Sequence, residues 1–326
     1  MKVLLTGASG FVGSHILDRL RARDIATAVL LRPTSNRRFL EAHLPHLDVR
    51  TGSIGDPPSL DAALRDVTHV IHCAGCTKAL HLREFYETNQ NGTRNVVEAI
   101  NRQPGRIQRF IHISSLAAGG PATPSQPARE DDPPQPVSEY GKSKLAAEQE
   151  ARNCKPDFVI LRPPAVYGPR DDGFLTFFKA IKAHVLPRFG DGRMALSFVF
   201  AKDLAEVTVA CLTHPAAVGK TFYTASPEVT TTLALAGEIA AQMKTWTLTV
   251  PLPLATLWPL CNLQEAVSRL TGKPCVLSRQ KYAELRAPGW VCDPARLRQE
   301  LGLVCATKLK DGIAETLAWY RQHEWL

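Results

Sequence analysis

The chain has 326 residues, more than one average domain of roughly 100–200 residues, so a large core with a smaller lobe is expected. Hydrophobic residues make up 44% and charged residues 21%, a soluble globular balance that excludes a disordered or fibrous chain. The net charge of +8 invites an acidic partner, but Lys and Arg are scattered without an aromatic-interleaved basic stripe, which argues against nucleic-acid binding.

The first informative stretch is Leu4-Leu5-Thr6-Gly7-Ala8-Ser9-Gly10-Phe11-Val12-Gly13. Lys2 to Leu5 suits a buried parallel strand, and Ser14 to Arg23 puts Ile16, Leu17 and Leu20 on one helical face. Between them Gly7 permits a tight turn, Gly10 lets the backbone approach a pyrophosphate, and Gly13 lets the helix pack closely. The helix amino terminus, with Phe11 and Val12, then offers N–H groups and a positive dipole end to phosphate. Because the apolar run breaks into glycine after Leu5, it is not expected to be a signal peptide.

Ala26 to Leu31 predicts a second strand, ending in Arg32-Pro33-Thr34-Ser35-Asn36-Arg37-Arg38. An acid at such a strand end holds a ribose 2′-hydroxyl, whereas an Arg accommodates a 2′-phosphate. Arg32, with Ser35 nearby and no carboxylate before Glu41, therefore favours NADP, with NAD the alternative. Leu47 to Arg50 predicts a third strand, followed by Ser53 and Ile54 where adenine is expected. A helix over Pro58 to Arg65 leads to a fourth strand, Val67 to His72, closed by the small residues Cys73-Ala74-Gly75.

A single long helix is expected from Glu84 to Ile100, through Asn89, then a fifth strand, Phe110 to Ile113, running into Ser114-Ser115. The proline-rich loop from Pro121 to Pro136 has a length common among functional loops. A helix from Tyr140 to Asn153 and a strand from Phe158 to Arg162 complete the alternation, which predicts a parallel sheet covered on both faces. Beyond Arg162 the rhythm loosens. A helix over Phe174 to His184 opens a smaller lobe, and Ser197 to Leu212 is expected to return to the main sheet. Further helices are expected at Thr232 to Lys244 and at Leu263 to Leu270, the latter stopped by Gly272 and Pro274. Trp246 to Leu263, with three prolines, is not expected to be a membrane span; a lid or lip, part of the lobe's core and a segment touching a lipid-like surface are the alternatives.

The resulting fold class is α/β, a Rossmann-type doubly wound parallel sheet with a smaller carboxyl-terminal α/β lobe. Residues 1–165 and 196–220 are assigned to dinucleotide binding, and 166–195 and 221–326 to the substrate. Cysteines stand at 73, 76, 154, 211, 261, 275, 292 and 305. Cys73-x-x-Cys76 has no second close pair to complete a zinc site, so free thiols, no metal and a cytoplasmic setting are expected.

Tyr140 and Lys144 lie four apart and share a helical face. An ammonium beside a phenol is expected to lower a pKa that starts near 10, producing a proton donor and acceptor suited to carbonyl reduction. Ser115, at a strand end beside the cofactor, is placed to hydrogen-bond a substrate oxygen.

Together these segments resemble the extended short-chain dehydrogenase/reductase family, which includes nucleotide-sugar epimerases, 3β-hydroxysteroid dehydrogenases and dihydroflavonol reductases. The resemblance rests on Thr6-Gly7-x-x-Gly10-x-x-Gly13, His72-Cys73-Ala74-Gly75, Asn89-Gln90-Asn91-Gly92-Thr93, Ser114-Ser115, Tyr140-x-x-x-Lys144 and Leu161-Arg162-Pro163-x-x-Val166-Tyr167-Gly168-Pro169, in family order. It implies a catalytic triad of Ser115, Tyr140 and Lys144. It also implies that Lys144 holds the nicotinamide ribose, that Pro163 to Val166 lies beside the nicotinamide, and that the helices at Glu84 and Tyr140 pair into a homodimer.

Two departures narrow the expectation. Leu116 and Ala117 stand where dehydratases of the family carry an acidic pair, and Leu196 stands where nucleotide-sugar enzymes place an Arg for the pyrophosphate. Dehydration and a diphosphate substrate are both disfavoured. Ser53 also replaces the adenine-reading Asp common in the family. The expected activity is NADP-linked oxidoreduction of a ketone or secondary alcohol on a large apolar molecule such as a sterol, isoprenoid or acyl chain, held without a charged anchor. The alternatives are a nucleotide-sugar epimerase using the same triad and, in another class, a nucleotide-sensing binding protein.

Overall fold

The protein is described from a computed structural model covering residues 1–189, 192–271 and 279–326. In chain order, the first half runs β1 (Lys2–Thr6), α1 (Phe11–Ala22), β2 (Ala26–Leu31), β3 (Asp48–Thr51), α2 (Pro57–Ala63), β4 (His69–His72), α3 (Leu82–Phe85), a π-helical stretch (Tyr86–Asn91), α4 (Gly92–Asn101), β5 (Arg109–Ile113), α5 (Leu116–Gly119), α6 (Glu139–Arg152) and β6 (Asp157–Arg162). The second half runs β7 (Ala165–Tyr167), α7 (Asp172–Lys182), β8 (Val185–Phe189), β9 (Ala195–Phe200), α8 (Ala201–Ala210), β10 (Lys220–Tyr223), β11 (Val229–Thr231), α9 (Thr232–Met243), β12 (Leu248–Leu252), α10 (Leu257–Thr271), α11 (Arg279–Leu285), β13 (Gly289–Trp290), α12 (Ala295–Leu301) and α13 (Leu309–Gln322).

Seven strands form the main sheet in the order β10-β6-β5-β4-β1-β2-β3, every neighbouring pair parallel. Successive strand side chains point to opposite faces, and both faces are apolar. Val3, Leu5, Ile71, Ile111 and Val159 pack on one side against Ile16 and Leu17 of α1 and Leu204 of α8. Leu4, Val70, Phe110 and Ile160 pack on the other against Leu60 of α2, Val96 and Ile100 of α4 and Ala151 of α6. The chain winds outward from β1 to β3, then returns to β4 on the other side of β1. That reversal leaves a crevice at the carboxyl ends of β1 and β4, where ligands bind in such sheets.

Two expectations about elements are corrected. The single helix over Glu84 to Ile100 is instead two α-helices joined by the π-helical Tyr86–Asn91. The strand near Ser197 does not join the main sheet. It is β9, which pairs with β7 and β13 in parallel and with β11 antiparallel in a second sheet. Val199 of β9 and Leu204 and Val207 of α8 nevertheless pack on the main core. The seventh strand of the main sheet is β10.

The stretch Trp246 to Leu263 is regular along much of its length. Pro251 sits within β12, a strand with only one partner, and Pro259 lies in the first turn of α10, where a missing N–H costs little. Of its apolar side chains, Leu257 and Cys261 are fully buried, but Trp246, Leu248, Leu254, Trp258 and Leu263 are exposed. The lobe's core lies elsewhere, with Phe178 of α7, Ile239 of α9 and Leu317 and Tyr320 of α13 around Tyr167 and Phe198. Gly272, Pro274 and Cys275 lie outside the described residues; the other seven cysteines are free thiols. No described helix is long and apolar enough to cross a membrane.

Candidate active site

The glycine turn is built from close backbone packing. Gly7 has a φ of +76°, and a Cβ on it would meet the Ala74 backbone nitrogen at 2.6 Å, so the turn after β1 touches the turn after β4. A Cβ on Gly13 would lie 2.0 Å from the Gly7 carbonyl oxygen, so α1 begins directly over the turn. Around Gly10 the nearest atom is 3.4 Å away, ordinary contact, which leaves its outer side available to a ligand. Gly10 caps α1 without a side-chain hydrogen bond. The first N–H groups of the helix, from Phe11 to Gly13, lack intrahelical acceptors and suit a phosphate.

Lys144 reaches this crevice from α6. Its ammonium is buried and donates to the Ile113 carbonyl at the end of β5, 2.7 Å away. A Cβ on Gly75, after β4, would stand 4.0 Å from the Lys144 Nζ. The lysine therefore sits between the ends of β4 and β5, beside the glycine turn. Burial lowers its pKa to about 8, offset in part by Cys73 and Glu148. Tyr140, one helical turn earlier, hydrogen-bonds Ser115. Ser115 caps α5, its Oγ accepting from the Ala117 N–H at 3.1 Å. The structure thus brings Ser115, Tyr140 and Lys144 together.

One electrostatic expectation is corrected. The Tyr140 hydroxyl is pushed up to about 12, not down, because desolvation outweighs the Ser115 hydrogen bond. The Lys144 ammonium is held by a backbone carbonyl and does not offset that cost. Near neutral pH Tyr140 is therefore a protonated phenol, an acid in place. Cys73 is similarly raised to about 12 by burial, which makes it packing and not a nucleophile.

One buried residue behind Ser115 and Tyr140, Glu148, was not singled out from the sequence, and its partner Arg162 was read only as part of the Leu161-Arg162-Pro163 motif. Glu148, fully buried on α6, is bound by Arg162 Nε and a terminal nitrogen at 2.8 and 2.7 Å and accepts from Ser114 Oγ at 2.6 Å. This pair ties α6 to β6 and occupies Ser114, leaving Ser115 to face Tyr140. The available signal was Arg162 itself, a charge ending an apolar buried strand and hence in need of a buried partner. Asn89, expected at the cofactor, spends its amide on other work. Its Oδ1 accepts from Cys76 N–H at 2.7 Å, and its Nδ2 donates to the Cys76 carbonyl at 3.0 Å and to Ser143 Oγ at 2.9 Å. The π-helical turn that presents it is a feature common near functional sites.

The remaining expected contacts flank the crevice. Val12, Cys73 and Val166 are partly buried against the same core. The Pro163 carbonyl accepts from Leu116 N–H at 2.8 Å, fixing the β6 end against α5. The Ile54 side chain lies against Gly92, where a Cβ would stand 2.6 Å from it, and Ser53 Oγ accepts from the Gly55 N–H. At the end of β2, Arg32 and Ser35 close a small ring: Ser35 Oγ accepts from Arg32 N–H at 3.0 Å. Arg32, Arg37 and Arg38 are all exposed, and the Arg38 guanidinium also stands over Phe39 and Trp325 at 4.4 and 4.8 Å.

Residues 3–224 match the family described as NAD dependent epimerase/dehydratase. A ceramide reductase of Caulobacter vibrioides is 32% identical over 99% of this chain and 96% of its own length. The chain belongs to this epimerase/dehydratase family. A UDP-glucose 4-epimerase of Vibrio cholerae is 28% identical over 83% of this chain and 85% of its own. Among solved structures, the Thermus thermophilus UDP-glucose 4-epimerase in complex with NAD superimposes with a TM-score of 0.78 at 25% identity, covering 98% of this chain and 99% of that one.

Within this epimerase/dehydratase framework, the lobe holds a cavity of about 740 Å³ between α7, β8 and α11. Phe177, Leu186, Met194, Leu233, Leu254 and Leu285 give it apolar walls. No triad side chain lines it. Leu196, the position read from the sequence as departing from a phosphate-holding Arg, is partly buried against the lobe core. Arg188, Arg193, Lys281 and Arg286 also line the cavity. They come from the segments around β8 and α11, which no spacing rule had joined.

Proposed function

We propose that this chain is an NADP-linked oxidoreductase that transfers hydride between the nicotinamide and a ketone or secondary alcohol carried on a large apolar substrate. The observation that carries the reading is the convergence of Ser115, Tyr140 and Lys144 on the carboxyl ends of β4 and β5, beside the glycine turn. When bound, a nicotinamide nucleotide supplies or accepts the hydride. Gly7, Gly10 and Gly13 with the first turn of α1 fit its pyrophosphate, and Arg32 with Ser35 fits a 2′-phosphate. Ser115 would orient the substrate oxygen, Tyr140 would deliver its proton there, leaving a phenolate that the Ser115 hydrogen bond helps to stabilise, and Lys144 would hold the nicotinamide ribose.

An acyl-chain lipid suits the apolar walls of the cavity, and the relative named ceramide reductase supports that class. In this reading the lobe from residues 166–195 and 221–326 holds the substrate. The second reading is nucleotide-sugar epimerisation, favoured by the four cationic residues on the cavity and by the epimerase relatives. A pairing of two copies through α4 and α6 is proposed with either, and a monomer by light scattering at micromolar concentration would contradict it.

Two experiments test the reading. Long-chain keto lipids in mixed micelles should oxidise NADPH, while UDP-glucose should be neither bound in the micromolar range nor converted. The reverse result selects the epimerase. NADPH should bind roughly several-fold tighter than NADH, and Arg32→Asp should shrink or invert that ratio. Tighter NADH binding in the unmutated protein overturns the cofactor assignment.

A further inference from the structure

The helix α10 turns an apolar face to solvent. Leu263, Val267 and Leu270 are 62%, 50% and 88% exposed, and Pro259 and Ala266 are exposed beside them. These positions recur at the spacing of one helical face, and the opposite face is already satisfied by buried Leu257, Cys261 and Ser268. Exposed Trp258 and Leu254 extend the strip, and Trp246 and Leu248 are exposed at the preceding strand. A run of large apolar side chains this long is not ordinary surface scatter.

The charge around it selects the occupant. Among the described side chains from 244 to 286, Lys244, Arg279, Lys281 and Arg286 are exposed, against Glu265 and Glu284 as the acidic ones. Both glutamates are paired within it, Glu265 with Arg279 at 3.4 Å and Glu284 with Lys281 at 2.9 Å, so the surplus is cationic. The Arg279 guanidinium stands 5.6 Å over Trp258, whose ring meets Tyr282 edge-on at 5.2 Å. Aromatic rings and basic groups bordering an apolar helical face fit the boundary between headgroups and acyl chains. A second copy in a two-fold pair would bring this basic patch against itself.

We propose that the exposed face of α10 docks the protein on an anionic phospholipid surface, with the apolar side chains entering the acyl boundary and the basic groups meeting the headgroups. The surface does not depend on which substrate the site takes. It has a geometric consequence, because Leu254, Lys281, Leu285 and Arg286, which line the lobe cavity, come from this same segment. Docking would bring the cavity toward the bilayer.

The test uses the full chain and vesicles of phosphatidylcholine alone or with about one third phosphatidylglycerol. The protein should sediment with the anionic vesicles, release as salt is raised, and bind the neutral ones weakly. Leu263→Glu, Val267→Glu and Leu270→Glu together should reduce binding by at least roughly tenfold with an unchanged melting temperature, since all three side chains are exposed. Absence of vesicle binding, equal binding to both compositions, or equal binding by the triple variant overturns the proposal. So does a dimer that the three substitutions dissociate without any vesicle binding, which would give the face to a second copy.

Discussion

Lys144 holds its charge in a place with little water, and this single group links function to stability. Its ordinary pKa of 10.5 falls to about 8 in the folded chain. Between about pH 8 and 10.5 the unfolded chain thus keeps a proton that the folded one has released. Stability from this group is lowest below pH 8 and rises as pH increases through that window. If the ammonium is needed to hold the nicotinamide ribose, the reduction rate falls over the same interval. Lys144→Met should therefore abolish turnover while leaving the melting temperature at pH 7 unchanged or a few degrees higher. A fall of more than about 5 °C would show that the lysine is a net stabiliser. Tyr140 and Lys144 could be paired from spacing because a helix fixes which residues share a face, whereas Ser115 was singled out from its place at the end of a strand. The raised Tyr140 pKa was not legible, because it depends on how deeply tertiary packing buries the hydroxyl.

Among the elements, period-two and period-3.6 patterns located nearly every strand and helix of the main sheet, since each must bury a defined face. The π-helical Tyr86–Asn91 escaped because the stretch between Phe85 and Val96 carries no large apolar side chain whose shift of phase would reveal an extra residue per turn. The second sheet escaped for a different reason. Strand β9 followed by α8 looks like one more β-α unit, and only pairing with β7, β11 and β13, which come from distant parts of the chain, tells it apart. The contact between α6 and β6 is the most testable of these junctions. Glu148→Ala would leave Arg162 buried without its partner, and breaking such a pair costs about 3–5 kcal/mol. Urea denaturation should show that loss with the slope little changed. A cost below about 1 kcal/mol would mean that the pair does not hold the helix to the sheet.

At the scale of the whole molecule, a doubly wound sheet puts the cradle and the triad at one switch point, and the lobe sets a cavity with apolar walls and cationic groups to one side of it. The cradle could be found from the sequence because it is local: strand, turn and helix are contiguous, as are Tyr140 and Lys144. The cavity could not, because Phe177, Arg188, Leu233 and Arg286 meet only through the packing of four separate segments. This is why the reaction class is better defined than the substrate. The central claim is that Tyr140 is the acid of a net hydride transfer to a ketone. It is tested most directly by single-turnover NADPH oxidation with a long-chain keto lipid, comparing the unmutated protein with Tyr140→Phe at matched cofactor saturation. The account predicts stoichiometric NADPH oxidation in the former, a rate lower by about 10²–10⁴-fold in the latter, and similar cofactor affinity in both. A Tyr140→Phe variant retaining more than about a tenth of the rate would contradict it, as would an unmutated protein that interconverts UDP-sugars with no net consumption of cofactor.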